Sequence, residues 1–251
     1  MRTLRRQLIT GLWVTLCLIV LLGVAYPIAV WAVGQVAFNH RANGSFIKNG
    51  NGQVVGSSLI GQNFTDKNGN PLPQYFQPRP SSAGSNGYDP TASGGSNLGP
   101  SNPNLIGNQG ANPYRTPDDP LCVPVQAADK NGKPETDATG NPIYQKNPDG
   151  TYVCNPNTVP QRVIAYREFN GLASDANVPV DAVTSSGSGL DPDISEANAL
   201  LQAPRVAKAR GLPVEQVVAL VHQHTNDRAL GILGEKTVNV LDLNLALDRL
   251  H

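Results

Sequence analysis

Residue patterns that could support catalysis occur at several points in the 251-residue chain, and each lacks a partner that the chemistry needs. Ser45-Phe46-Ile47-Lys48 matches the S-x-x-K arrangement in which a lysine activates a serine nucleophile. The companion S-x-N triplet is missing, and Lys236-Thr237 is followed by Val238 instead of glycine, so Ser45–Lys48 reads as linker. His40, His222, His224 and His251 form no evident zinc set. His222 and His224 stand two apart on a predicted helix, where their side chains diverge, and read as surface or partner-facing residues. The sequence has no G-x-x-x-x-G-K-[ST] phosphate loop. The clusters Ser93-Gly94-Gly95-Ser96 and Ser186-Gly187-Ser188-Gly189 fit tight turns, with anion-binding nests as the sharper alternative. DKNGNP (66–71) and DKNGKP (129–134) lack the alternating ligands and closing glutamate of a calcium loop and read as turns. Arg205, Lys208 and Arg210 put three positive charges on one short helical segment: a solvated face, or a contact for lipid head groups or an acidic partner.

The elements that would position these residues divide unevenly along the chain. Nineteen basic and nineteen acidic residues cancel, so there is no positive field to collect nucleic-acid phosphates. With 25 Gly and 21 Pro but only 6% aromatic residues, the chain should be rich in turns and modest in core. Pro160–Phe169 predicts a short helix stopped by Gly171, and Val178–Val183 is strand-like. Ser195 should cap a helix starting at Glu196 that Pro204 interrupts, with a second piece over Pro204–Arg210. Pro213 should open a helix with Val214, Val217, Val218 and Val221 on one face. Thr237–Val240 is a strand candidate, and Asp242 is the expected cap of a last helix burying Leu243, Leu247 and Leu250. Earlier, Gln53–Phe64 reads as a strand and turn, and Ile143–Tyr144 is expected to pair with Tyr152–Val153.

Leu8–Ala32 is apolar and uncharged, longer than the ~20 residues that cross a bilayer. Trp13 lies near one end and Tyr26 and Trp31 near the other, where amphipathic rings favour the interfaces. Pro27 should kink the outer end or mark where the helix leaves the lipid. The run is longer than the ~7–15 residues of a signal-peptide apolar region and ends at no A-x-A site, so it reads as an anchor. Arg2, Arg5 and Arg6 precede it, which places the N-terminus in the cytoplasm and the rest outside. Gly11, Thr15, Gly23 and Ala25 offer small or hydroxyl surfaces for a neighbouring helix. In an oxidising exterior Cys122 and Cys154 form the one even pair, Cys17 being inside the span. A bond between them should contribute roughly 3–4 kcal/mol by chain entropy.

GSSLIGQNF (56–64), YFQPRPS (75–81), YDPTASGGSNLGPSNP (88–103), the string 178–212 from VPVDAV to KARGL, and VNVLDLNLAL (238–247) occur in this order behind one span. Together they resemble the C subunit of the Kdp-type potassium-transporting ATPase, over most of residues 1–105 and 160–250. The resemblance implies a potassium-importing membrane complex with a channel-like subunit and a P-type ATPase subunit as partners, alongside membrane lipid. It also implies a non-catalytic accessory subunit with no cofactor of its own, ATP and potassium being handled by the complex. The family is described as a catalytic chaperone that raises ATP affinity, and any nucleotide or partner contact is expected at Gln202, Arg205, Lys208 and Arg210. The arginine bias argues against nucleotide, because ATP is scarce outside the cell. The alternatives are a membrane-anchored extracytoplasmic enzyme or binding module. The expected organisation is α+β: cytoplasmic tip and span (1–40), first exported part (41–105), a turn-rich insertion departing from the family pattern (106–159) and a helical C-terminal part (160–251).

Overall fold

The computed structural model describes residues 2–99, 102, 105, 124–130, 132–228 and 230–250. Among these residues, helices mix with two small antiparallel sheets. Two compact units divide the chain, residues 1–59 and 60–251.

The first unit opens with α1 (Arg2–Val20), a π-helical turn (Leu21–Ala25) and α2 (Tyr26–Ala37). Thr3–Ala37 is long and apolar enough to cross a membrane, and none of its most apolar window is buried within the chain. The helix runs through Pro27. A proline ring crowds the carbonyl four residues earlier, here that of Gly23, and supplies no donor for it. The π turn widens the backbone there, with Tyr26 N–H donating to the Leu21 carbonyl. After α3 (Asn39–Ala42), β1 (Phe46–Lys48) and β2 (Val54–Ser57) form a hairpin with Phe46 opposite Ser57. Ser45 precedes β1, buried and with φ 49°, not on the helix that an S-x-x-K nucleophile requires.

The second unit contains α4 (Val159–Asn170), α5 (Val180–Val183), β3 (Asp193–Ser195), α6 (Glu196–Arg210), α7 (Val214–Gln223), β4 (Thr225–Asn226), β5 (Thr237–Asn239) and α8 (Val240–Asp248). Strand β5 lies between β3 and β4, with Ile194 opposite Val238 and Thr225 also opposite Val238. Helices α6, α7 and α8 supply most of the core: Ala199, Ala203, Val206, Val217, Val221, Leu243 and Leu247 are all fully buried. Val214, by contrast, is 38% exposed at the open end of the expected valine face, and Leu250, expected to be buried, lies beyond the end of α8 and is 40% exposed.

Three local expectations are corrected. Helix α6 is continuous through Pro204. Pro204 lies on the exposed face, and the buried opposite face of the helix outweighs the ~3 kcal/mol proline penalty. Val178–Val183 forms no strand; Val180–Val183 is a single helical turn, with Val180 73% exposed and only Val183 buried, so the apolar alternation has no sheet to join. The final helix is capped by Asn239, whose side chain accepts from Asp242 N–H at 3.1 Å; Asp242 lies inside the first turn.

Among the described residues of 124–155, tight turns alternate with short bridged segments. Asp129, Asp137 and Asn147 each begin a turn in which a glycine three residues later has φ of 79°, 87° or 88°. Asp66 begins the same turn at Gly69, so both DKNG strings are turns. Three backbone segments close into rings: Val125 N–H donates to Val153, Val153 to Gln145, and Gln145 back to Val125. Ala127, Ile143 and Glu135 form a second ring in the same way. Tyr144 therefore pairs with Gln126, and Tyr152 with Lys146, not Ile143–Tyr144 with Tyr152–Val153. The Asn147–Thr151 turn sets that register. The expected Cys122–Cys154 bond involves Cys122, which lies outside the described residues.

Candidate functional site

The sequence-selected residues Gln202, Arg205 and Arg210 converge on one extended segment, Tyr75-Phe76-Gln77. Phe76 is fully buried, yet its backbone has no neighbouring strand. Two side-chain amides take the place of one. Asn244 on α8 accepts from Phe76 N–H at 2.9 Å and donates to the Phe76 carbonyl at 3.0 Å. Gln202 on α6 does the same for Gln77, accepting at 2.7 Å and donating at 3.1 Å. Buried backbone groups need such partners, because leaving one unpaired costs about 1–3 kcal/mol. The QPRP sequence explains why side chains do this work: Pro78 and Pro80 lack N–H donors and bar the segment from a central strand.

Arg205 completes the clamp. Its Nε donates to Asn170 Oδ1 at 2.9 Å, and Nη2 to Gln202 Oε1 at 2.9 Å. Nη1 donates to the carbonyls of Pro73 and Tyr75, and the guanidinium lies 4.3 Å from the Phe169 ring centroid. Burial draws its pKa down to about 10, which still leaves it charged at neutral pH. Arg210 donates to the Gln74 carbonyl at 2.7 Å, pairs with Asp248 at 2.7 Å and stacks over Tyr75 at 4.8 Å. Lys208 stands apart, exposed on the same helix.

A second polar layer fixes α6. Ser195 caps it, accepting from Asn198 N–H at 3.1 Å. Asp181 accepts from Ser195 N–H at 2.7 Å, Ser195 Oγ at 2.9 Å and Asn198 Nδ2 at 3.0 Å. Tyr166 donates to Asn198 Oδ1 at 2.8 Å, and burial pushes its phenol pKa up. With Gln202 Nε2 also donating to Asn198 Oδ1 at 2.9 Å, all four hydrogen-bonding positions of the Gln202 amide are filled. A cavity of about 560 Å³ opens beside this layer, lined in part by Gln77, Arg79, Arg162, Tyr166, Phe169 and Gln202.

Sequence reasoning missed Asn244, Gln77, Asn198 and Asp181. The two glycine clusters also have a role that spacing did not reveal: they pack together. Gly94 N–H donates to Ser188 O at 2.8 Å, and a Cβ on Gly189 would lie 2.7 Å from both Gly94 O and Ala83 Cβ. His222 pairs with Glu196 at 2.9 Å, and the backbone N–H of His224 caps α7. Among the described residues, no three potential metal ligands gather. On the apolar helix, Thr15 and Gly23 share a shallow groove with Leu18, Ile19 and Leu22, whereas Ala25 lies along another with Trp13 and Cys17. Gly11 lines neither groove.

The sequence model of the family described as "KdpC: K+-transporting ATPase, c chain" matches residues 8–118 and 152–249. The chain belongs to the KdpC family. The Potassium-transporting ATPase KdpC subunit of Mycobacterium tuberculosis is 44% identical, covering 98% of this chain and all of the relative. That of Caulobacter vibrioides is 43% identical over 91% of this chain and 86% of its own length. The Rhodospirillum rubrum subunit is 43% identical over 99% and 96%. As a KdpC-family member the chain is an accessory subunit of a potassium-transport complex, and its apolar N-terminal helix associates it with a membrane. The family match passes over residues 119–151, a range that shares Val125, Ala127, Glu135, Ile143 and Gln145 with the turn rings.

Proposed function

We propose that this chain assembles and stabilises an ATP-driven potassium importer without catalysing a reaction itself, joining a channel-like subunit to a P-type ATPase subunit. The observation that carries this reading is the 35-residue apolar helix, Thr3–Ala37, whose most apolar stretch finds no cover among the described residues of its own chain. Its groove at Thr15 and Gly23 suits the close approach of another helix. A Cβ on Gly23 would meet nothing within 4 Å in the isolated chain, so substitution there tests the partner and not the fold. Thr15→Ile with Gly23→Ile should leave membrane insertion intact and lower co-purification of the other subunits several-fold. Undiminished co-purification would remove the groove from the interface.

The polar unit supports a scaffold role more than a nucleotide site. Gln202, Arg205 and Arg210 direct their hydrogen bonds into the protein, and any effect on ATP use then passes through subunit packing. Exposed Lys208 is the member of the set free to meet a partner or lipid head groups. Arg2, Arg5 and Arg6, ahead of the uncharged Leu8–Ala32 run, support a cytoplasmic N-terminus with residues 41–251 outside. Protease added to intact cells should then cut within 106–159; cleavage only after lysis would reverse the orientation. The oxidising exterior also supports a Cys122–Cys154 bond, which non-reducing peptide mapping would detect as a linked pair.

A further inference from the structure

The hairpin joining β4 to β5 presents an apolar tip that the fold does not use. Leu230 is 89% exposed, Ile232 77% and Leu233 57%, three large aliphatic side chains within four residues. Leu230 has φ 55°, a left-handed conformation that a non-glycine residue adopts at a cost, and Gly231 and Gly234 have φ of 79° and 80°. The tip stands on a fixed base. Strand β5 is the central strand of its sheet, and Val238, two residues past Lys236, is fully buried.

The charges at the base close on one another. Arg228 pairs with Glu235 at 2.7 Å and Lys236 with Asp227 at 3.2 Å. The base is therefore polar but neutral beneath an aliphatic tip, and protein-protein contacts likewise set solvent-exposed polar groups beside an apolar centre depleted of charge. A lipid-binding loop would be expected to carry surplus Lys or Arg for anionic head groups beside its apolar residues. Residues 227–236 carry two basic and two acidic side chains and no aromatic one.

We infer that the Leu230–Leu233 tip grips an apolar, uncharged pocket on another protein subunit of the same complex. The inference rests on the accessory-subunit reading above but uses a surface separate from the apolar helix. Because the contact is aliphatic above a self-neutralised base, it should hold in high salt, where contacts between charged patches weaken.

The test uses the full chain co-expressed with the other subunits. The wild-type chain must first co-purify with them; if it does not, the accessory-subunit reading itself fails. Given that association, Leu230→Ser, Ile232→Ser and Leu233→Ser together should reduce co-purification at least tenfold in both low and high salt. The thermal unfolding of the purified chain should stay unchanged, because these side chains lie outside its core. A photoreactive benzophenone side chain at Ile232 should form an adduct with a different subunit. Full co-purification of the triple variant, or an adduct to lipid or to a second copy of this chain, overturns the inference and leaves the helix-mediated assembly standing.

Discussion

The clamp around Tyr75–Gln77 and the turn rings of residues 124–155 satisfy backbone groups in opposite ways. In the clamp, side chains 125 and 168 residues away in sequence reach the backbone of two adjacent residues. In the rings, most bonds close within one Asx turn or between neighbouring segments, and the side chains from Gln126 to Tyr152 are exposed or half-buried where described. The first arrangement cannot loosen without exposing the core that α6 and α8 share. The second can open turn by turn. Stability should therefore be cooperative in one region and local in the other.

The largest effect is expected at Arg205. Arg205→Met keeps the aliphatic stem but strips donors from Asn170, Gln202, Pro73 and Tyr75 at once. A loss on the order of 3–5 kcal/mol should follow, read by denaturant unfolding of the 60–251 unit within the full chain. A loss below about 1 kcal/mol would mean that water replaces the guanidinium and that the clamp is not a cooperative device.

Asn244→Ala should cost less, about 2–3 kcal/mol, because it orphans one N–H and one carbonyl of Phe76. Combining it with Gln202→Ala sharpens the comparison. The two amides serve adjacent residues of one segment, so the double loss should depart from the sum of the single losses. Strict additivity would imply that Phe76 and Gln77 are held independently.

The same comparison explains what was legible in the sequence. Signals confined to a few residues were readable: the Gly171 stop, the Ser195 cap, the buried Val217 and Val221 of α7, and the DKNG turns. Arg205 and Gln202 stood out by type and by position in a family-like string, yet not for the job they do. Their partners are backbone groups of an unrelated-looking YFQPRP segment, and a backbone carbonyl leaves no mark in a sequence. Asn244 was missed for the same reason, since an asparagine within an apolar helix has no periodic signature. Pro204 and Val178–Val183 misled because local propensity was overruled, once by the buried face of α6 and once by Asp181 binding Ser195 and Asn198.

The smallest effect is expected in the turn rings. The Thr139 hydroxyl and the backbone of Asn141 hold the Asp137 carboxyl well below its usual range, at about 2. A carboxyl depressed in the folded state contributes stability that is present above its unfolded value of 3.8 and is lost as pH falls toward about 2. Because Asp137 is fully exposed, acid should loosen this one turn while the clamp stays intact. Amide shifts of Thr139 and Asn141 should titrate in that window, and those of Phe76 should not.

Hydrogen exchange at the Phe76 and Gln77 amides tests the clamp most directly. Each donates to a side-chain oxygen, Asn244 Oδ1 and Gln202 Oε1, with no strand ladder to protect it. If the clamp is the cooperative centre of the accessory unit, both amides should exchange as slowly as the core of α6, through global opening alone. Exchange at the rate of the Asp137–Asn141 turn would contradict the account, making the segment a loosely held loop and reopening Gln202 and Arg205 to a ligand.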